Sequence, residues 1–251
     1  LTNLGFDYDI TNELTAQINL GLDRTNSERR ISQSPRLNYQ LGTRGSATIS
    51  TRDLESRLFE AYANYSKGFG EHTVNALAGF SYQWFSERGL FVNRTGFAGD
   101  EIDLVDNIAL GDTEQAIPFS YRQENEIQSV FARVNYVYKG RYIVTANFRR
   151  DGSTKFGANN KYGNFPSFAT TWRIIEEDFM EDQDLFSDLK FRFGWGRTGN
   201  QEIPNKITQA TVGGDNGTRA FFNGQVVPGL TFLRTPNPDL RWETTDQINI
   251  G

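Results

Sequence analysis

The chain of 251 residues contains no cysteine, a single histidine (His72), and no run of more than three strictly apolar residues. Without cysteine there is no disulfide framework and no thiolate metal site, and one histidine leaves little for a zinc centre or a histidine-based triad. A membrane-spanning helix needs roughly 20 successive apolar residues, so none is expected. The net charge of −5 lacks the basic excess typical of nucleic-acid binding. We therefore expect that the chain is not an enzyme and that it binds no metal, no other cofactor and no nucleic acid.

Aromatic side chains are abundant instead, at 14% of residues in a chain of mean hydropathy −0.56. Many lie where apolar and polar residues alternate, which is the period of a β-strand. Residues 14–22 place Leu, Ala and Ile at even positions and mostly polar residues at odd positions. The pattern recurs in residues 74–84, 130–138, 142–148 and 189–195. Each stretch is predicted to be a strand with one apolar and one polar face.

The whole chain is predicted to contain about nine strands, joined by connections that are alternately short and long. In an up-and-down meander every second connection lies at the same end of the sheet, so the long connections gather at one end. Several strands also reach the 9 to 11 residues that a tilted strand needs to cross a bilayer. The predicted strands are residues 2–10, 14–24, 54–69, 73–91, 126–139, 141–152, 167–176, 189–198 and 240–251.

These features predict an all-β, antiparallel wall segment of an outer-membrane barrel, with short periplasmic turns and long extracellular loops. A spanning sheet must pair all its backbone groups because lipid offers no hydrogen-bond partners. Rings near strand ends would form an interfacial girdle: Tyr138, Tyr142, Trp84, Trp172, Trp195 and Trp242. The alternative is a soluble or surface-anchored β-sandwich, a carbohydrate-binding or adhesin module, whose apolar faces would form a buried core. The sandwich explains the alternation but neither the strand length nor the segregation of loop lengths.

Five blocks in the second half of the sequence carry a family resemblance. They are RRDGST, FGANNKYGNFPS, WRIIEEDF, KFRFGWGRTGNQ and NPDLRWE, in that order. In this order they resemble the SusC/RagA-like branch of TonB-dependent outer-membrane transporters. The resemblance is dense over residues 141–251 and rests on strand and loop pattern alone over residues 1–140. The sequence departs from the common form at Thr154 and Arg197.

The resemblance implies import across the outer membrane of a Gram-negative cell. Such transporters have a 22-stranded barrel, an N-terminal plug, and a SusD-like surface lipoprotein that hands over glycans or peptides, and the TonB complex supplies the energy. Residues 1–251 would be part of the barrel domain, with lipid as a further partner. The chain shows no plug and no final strand, and its first residues do not resemble a signal peptide.

The resemblance also implies structural roles for the residues of the matching blocks. The connector 153–166 would be a compact crossing whose rings pack against the rim, and Gly152, Gly157 and Gly163 would supply positive φ. Arg149, Arg150, Asp151 and Lys155 would form a rim ion network or contact ligand. The motif residues assigned a structural role are Arg150, Asp151, Gly152, Phe156, Gly157, Asn160, Gly163, Pro166, Trp172, Gly199, Asn200, Trp242 and Glu243.

Rings in the long connections are the candidates for ligand contact, because loops carry recognition and sugar faces stack on aromatic rings. Packing against a lid or a neighbouring loop is an equal alternative for them. The carboxylates of residues 100–112 could hold Ca²⁺, but their spacing is not that of an EF-hand, and a solvated loop is preferred. Glu176 and Glu177 are interpreted as turn charges. The candidate rings are Phe97, Phe119, Tyr121, Phe221 and Phe222.

Overall fold

A computed structural model describes residues 1–37, 42–112, 118–214, 218–227 and 229–251. Nine strands form one antiparallel sheet in the order β1-β2-β3-β4-β5-β6-β7-β8-β13, so eight strands that are consecutive in sequence are neighbours in space. This confirms the predicted meander. The strands are β1 (Thr2–Asp9), β2 (Leu14–Gln33), β3 (Ser46–Phe69), β4 (His72–Thr95), β5 (Phe119–Tyr138), β6 (Tyr142–Ser153), β7 (Tyr162–Arg173), β8 (Lys190–Asn200) and β13 (Glu243–Ile250).

Strands β2 to β5 extend further toward the long connections than the sequence pattern predicted. β3 begins at Ser46 rather than at residue 54, and β5 begins at Phe119 rather than at residue 126. The added segments combine short apolar alternation with charged residues, so hydrophobic alternation reveals them poorly. Ion pairs between neighbouring strands stabilise them instead, such as Arg88 Nε to Asp53 Oδ2 at 2.9 Å.

Some of the connections contain short helices or strands of their own. The connection after β7 contains two 3-10 helices, Ile174–Glu176 and Asp178–Met180. A third, Ile108–Leu110, lies between β4 and β5. The described residues of the connection between β8 and β13 form four short strands that the sequence pattern did not predict. β9 (Thr211–Gly213) pairs with β12 (Thr231–Arg234), and β10 (Ala220–Phe222) pairs with β11 (Gln225–Val227). In the described part of the chain no helix is long and apolar enough to span a membrane.

The strand register aligns the apolar residues on one face of the sheet. Across β5 to β8 and β13, one row joins Val134, Ala146, Phe168, Trp195 and Ile248. Side chains on this face remain exposed, for example Val130 at 55% and Phe148 at 45%. Among the described residues no second large sheet covers them. The β-sandwich alternative is therefore wrong, since it required these rows to lie in a core between two layers.

The chain divides into two compact units. The first comprises Leu1–Thr2, Gly21–Arg57 and Trp84–Glu124; its buried cluster consists of Ala47, Phe97, Leu104 and Val105. The second comprises Asn3–Leu20, Leu58–Gln83 and Asn125–Gly251, and its buried cluster consists of Phe156, Phe165 and Trp242. Both clusters include residues of long connections.

Candidate functional site

The β6–β7 connector and the segment before β13 form a packed assembly in the second unit, which we call the motif cluster (residues 153–165 and 238–242). The Trp242 ring lies 4.4 Å from the Phe156 ring and 5.2 Å from the Phe165 ring, centroid to centroid. Its indole Nε1 donates to the carbonyl of Lys161 at 3.1 Å. Ring burial with a satisfied N–H gives tryptophan a fixed orientation. Two sequence blocks about 80 residues apart along the chain therefore meet here.

Backbone hydrogen bonds hold the same two segments together. The N–H of Gly157 donates to the carbonyl of Leu240 at 2.9 Å, and the N–H of Asn159 donates to that of Pro238 at 3.2 Å. The Asn160 amide donates to the carbonyl of Asp239 at 3.1 Å. Because these groups are paired with the segment before β13, the connector has one defined conformation.

The glycines of the connector serve packing rather than backbone conformation. Gly152, Gly157 and Gly163 are not among the residues with positive φ, so their predicted role was wrong. A Cβ at Gly157 would collide with the carbonyl of Pro238, and one at Gly152 or Gly163 would collide with the ring of Tyr162 or Phe165. Steric contact with a neighbouring residue explains these glycines, and for Gly152 and Gly157 that neighbour is distant in sequence.

The other motif residues also make structural contacts. Arg150 lies over the Tyr162 ring at 4.9 Å, and the buried Asp151 accepts from Arg149 Nε at 2.6 Å. The Asn200 amide donates to Glu243 Oε2 at 3.0 Å. Pro166 is paired with Phe148, and Gly199 leaves space for the Phe165 ring.

Trp172 and Trp242 differ from each other in environment. Trp172 is partly exposed and belongs to a row of rings near the short connections: its centroid is 6.5 Å from that of Tyr142, which is 6.2 Å from that of Tyr138. Trp242 is buried in the motif cluster. The girdle prediction is therefore wrong for Trp242.

Glu177 holds this row of rings in place, a role that the sequence did not reveal. Its carboxylate accepts from Tyr142 Oη at 2.6 Å, Trp172 Nε1 at 2.8 Å and Arg141 Nη1 at 3.1 Å. The hydrogen bonds from Tyr142 and Trp172, followed by the charge of Arg141, lower the pKa of Glu177. Glu176 instead forms an exposed pair with Arg173, so the interpretation as a turn charge describes Glu176 better than Glu177.

Glu87 plays a comparable role in the first unit, beyond Trp84 on β4. It accepts from Arg52 Nε at 2.8 Å, Tyr121 Oη at 2.7 Å and Gln123 Nε2 at 3.1 Å. The Arg52 hydrogen bond, with those of Tyr121 and Gln123, lowers the pKa of Glu87, and the Glu87 bond raises the pKa of Tyr121. No sequence pattern predicts this network, because its members belong to three strands.

The polar face of the sheet presents neutral hydrogen-bonding groups. The Asn135 amide donates to Thr145 Oγ1 at 2.8 Å, and the Asn147 amide donates to Ser167 Oγ at 3.0 Å. In the second unit this face includes a shallow groove of about 470 Å³ whose lining includes Asn64, Ser66, Asn75, Arg133 and Asn135. Such a surface can exchange hydrogen bonds with a polar solute, and its sparse charge limits tight binding.

The five candidate rings are separated by exposure. Phe97 is 3% exposed within the first unit's buried cluster, and Tyr121 donates to Glu87. Phe119, Phe221 and Phe222 are exposed, Phe221 at 77%. Ligand contact by any of the five stays a prediction, and exposure favours these last three.

The acidic loop of the first unit is paired with arginine. Asp100 contacts Ser34 and lies 2.9 Å from Arg36 Nη2, and Asp106 pairs with Arg30. Among the residues that the structure describes, no group of three or more His, Cys, Asp or Glu side chains could hold a metal ion. The loop carboxylates thus act as ion-pair partners in this conformation.

Comparison with known proteins gives one consistent result. The family described as "TonB dependent receptor-like, beta-barrel" matches residues 1–251. The chain is 34% identical, over 97% of its length, to TonB-dependent receptor P3 of Formosa agariphila, and covers 24% of that protein. It is 32% identical over 77% of its length to TonB-dependent receptor SusC of Bacteroides thetaiotaomicron, covering 19% of it. The chain therefore spans about a quarter of the length of the first of these relatives and about a fifth of the length of the second.

Solved structures share the fold. The chain superposes on the RagAB peptide transporter with a TM-score of 0.84 at 27% identity, covering 99% of this chain and 27% of that one. The same transporter in an "open-open" state gives a TM-score of 0.83. The nine-stranded sheet therefore matches a contiguous part of a larger barrel.

Proposed function

Because this chain belongs to the TonB-dependent receptor β-barrel family, we propose that it forms part of the wall of an outer-membrane importer of oligosaccharides or peptides. The chain is a multistrand segment of an outer-membrane β-barrel. The proposed activity is energised transport without catalysis. Residues 1–251 act as one part of the barrel domain in a longer protein.

The observation that carries this proposal is the opposite character of the two faces of the sheet. The exposed apolar rows suit contact with acyl chains, and the ring row of Tyr138, Tyr142 and Trp172 suits a headgroup interface. The opposite face, with Asn135, Thr145 and Asn147, suits an aqueous lumen. A wall with these two faces can pass polar cargo through lipid.

The proposed partners are a SusD-like lipoprotein and the TonB complex. Support comes from the likeness to SusC and to a structure described as a peptide transporter. The exposed rings Phe119, Phe221 and Phe222 lie in or beside long connections, where cargo or a lid could contact them. In this proposal the motif cluster has a structural role only.

The test is uptake by the full-length receptor in a strain that lacks it. Cells receive fluorescent oligopeptides or oligosaccharides, with and without dissipation of the proton-motive force. We expect energy-dependent accumulation of one class, and a reduction when Phe221 and Phe222 are both replaced by alanine. The matched control is Phe179→Ala, an exposed ring in the connection after β7. The proposal is contradicted if cells without the receptor accumulate both classes of cargo as well as cells that contain it.

A further inference from the structure

Arginine recurs at one position on the apolar face of the sheet. In β2 the apolar residues at alternate positions end with Leu22, and the next residue of the same face is Arg24. The same step occurs from Phe59 to Arg57 in β3, from Phe148 to Arg150 in β6, and from Trp195 to Arg197 in β8. In each strand the arginine lies on the side of the long connections. An outward apolar row ends where the hydrocarbon ends, so these arginines lie at headgroup depth.

In the first unit, two of these arginines, Arg24 and Arg57, line a pocket of about 170 Å³ together with two further arginines. Four guanidinium groups line it together with the Trp84 ring, Ser86 and two carboxylates, Asp53 and Glu55. Even with Glu124, which pairs with Arg122, arginines outnumber the carboxylates. The four arginines are Arg24, Arg57, Arg88 and Arg122.

Existing contacts orient these guanidinium groups without enclosing them. Arg57 lies over the Trp84 ring at 4.8 Å and pairs with Glu55 at 2.6 Å. Arg88 Nε lies 2.9 Å from Asp53. Each guanidinium has five N–H donors, and the four side chains are between 57% and 68% exposed. The exposed N–H groups of Arg57 and Arg88 can contact an incoming anion, and the planar fork of arginine suits phosphate.

We propose that this pocket binds a phosphate group of the anionic glycolipid of the outer leaflet, lipopolysaccharide. The pocket adjoins the end of an apolar row, which places it beside lipid, and its charge complements a phosphate. The argument uses only the arginines and the apolar rows, so the proposal does not depend on cargo transport. It assigns the receptor a lipid contact that anchors the first unit to the outer leaflet.

The experiment measures lipid adducts of the full-length receptor by native mass spectrometry. The probes are phosphorylated lipid A, dephosphorylated lipid A and inorganic phosphate. The variant is Arg57→Gln with Arg88→Gln. The matched control is Arg192→Gln with Arg234→Gln, which removes the same charge outside the pocket. We expect the variant to bind phosphorylated lipid A at least about tenfold more weakly, and the control to stay within about twofold.

The probes also separate the sources of phosphate. Weak binding of dephosphorylated lipid A, and no displacement by millimolar inorganic phosphate, would support a lipid site. Equal binding of the two lipids, unchanged binding by the variant, or displacement by inorganic phosphate would overturn the proposal. A measurement on the unaltered receptor guards against misfolding: phosphorylated lipid A in vesicles should protect Arg57 and Arg88 from phenylglyoxal, and absence of protection would contradict it.

Discussion

The two compact units of the chain differ in the chemistry of their side-chain contacts. Ring-to-ring contacts lie almost all in the second unit, in the row near the short connections and around Trp242. The smaller first unit depends more on arginine–carboxylate contacts, such as Arg52 with Glu87 and Arg88 with Asp53. Its small buried cluster around Phe97 is flanked by further pairs, Arg30 with Asp106 and Arg36 with Asp100.

The two units should therefore respond differently to the same perturbation. Ring burial depends on excluded water and close packing, which salt and pH hardly change. Exposed ion pairs weaken with salt, and carboxylate hydrogen bonds are lost on protonation. Packing substitutions should therefore affect the second unit most, and acid should affect the first.

The largest effect is expected for Trp242→Ala. Removing the ring leaves Phe156 and Phe165 around a cavity, at a cost of about 3 to 5 kcal/mol. Hydrogen exchange of the full-length receptor should show faster exchange in residues 153–165 and 238–242. The control Phe221→Ala removes an exposed ring and should change exchange little. Equal effects of the two substitutions would contradict the assigned core.

Gly157→Ala tests the steric explanation of the connector glycines. The added methyl must displace the Pro238 carbonyl, so we expect a loss of about 2 to 3 kcal/mol and local opening of the connector. Gly194→Ala is the matched control, because its Cβ would have no neighbour closer than 3.8 Å. Unfolding temperature in detergent distinguishes them. A tolerated Gly157→Ala would contradict the explanation that lack of space requires glycine there.

Glu87→Ala probes the polar network of the first unit. Three donors lose their acceptor, which should cost about 2 kcal/mol at pH 7. Because the Arg52 hydrogen bond lowers the folded-state pKa, this stabilisation is full above the ordinary pKa of about 4.3 and is lost as the pH falls through the lowered value. Unfolding temperatures of parent and variant should therefore converge in acid. The control Glu124→Ala removes an exposed carboxylate, and a difference that persists at pH 2 would contradict the charge-based explanation.

The smallest effect is expected for Glu177→Ala, in the second unit. Tyr142 and Trp172 lose their shared acceptor but keep their ring contacts, so the unfolding temperature should fall less than for Glu87→Ala. Glu176→Ala, next in sequence and exposed, is the control. Tryptophan fluorescence anisotropy should decrease for Glu177→Ala alone, and an equal decrease for both would remove the proposed anchoring role.

The fold was largely predictable because successive residues of a strand point to opposite faces of the sheet, so an apolar and a polar face appear as alternation in the sequence. The alternation in residues 14–22 and 130–138 therefore identified the two strands and the apolar face of each. The charged extensions of β3 and β5 were missed, since their stability comes from partners on other strands. The long connections were the least predictable: nothing near Phe97 indicates that it is buried, whereas the blocks around Phe156 and Trp242 were recognised only through resemblance.

Local alternation and connection length were enough to predict the nine strands of the large sheet, their order along the chain and the apolar face of each. Which groups meet follows from the folded structure alone: Gly157 lies against Pro238, Trp172 and Tyr142 meet at Glu177, and four arginines line one pocket. Such contacts join residues from different strands and connections. Their geometry depends on strand register and loop packing, which local preference does not encode.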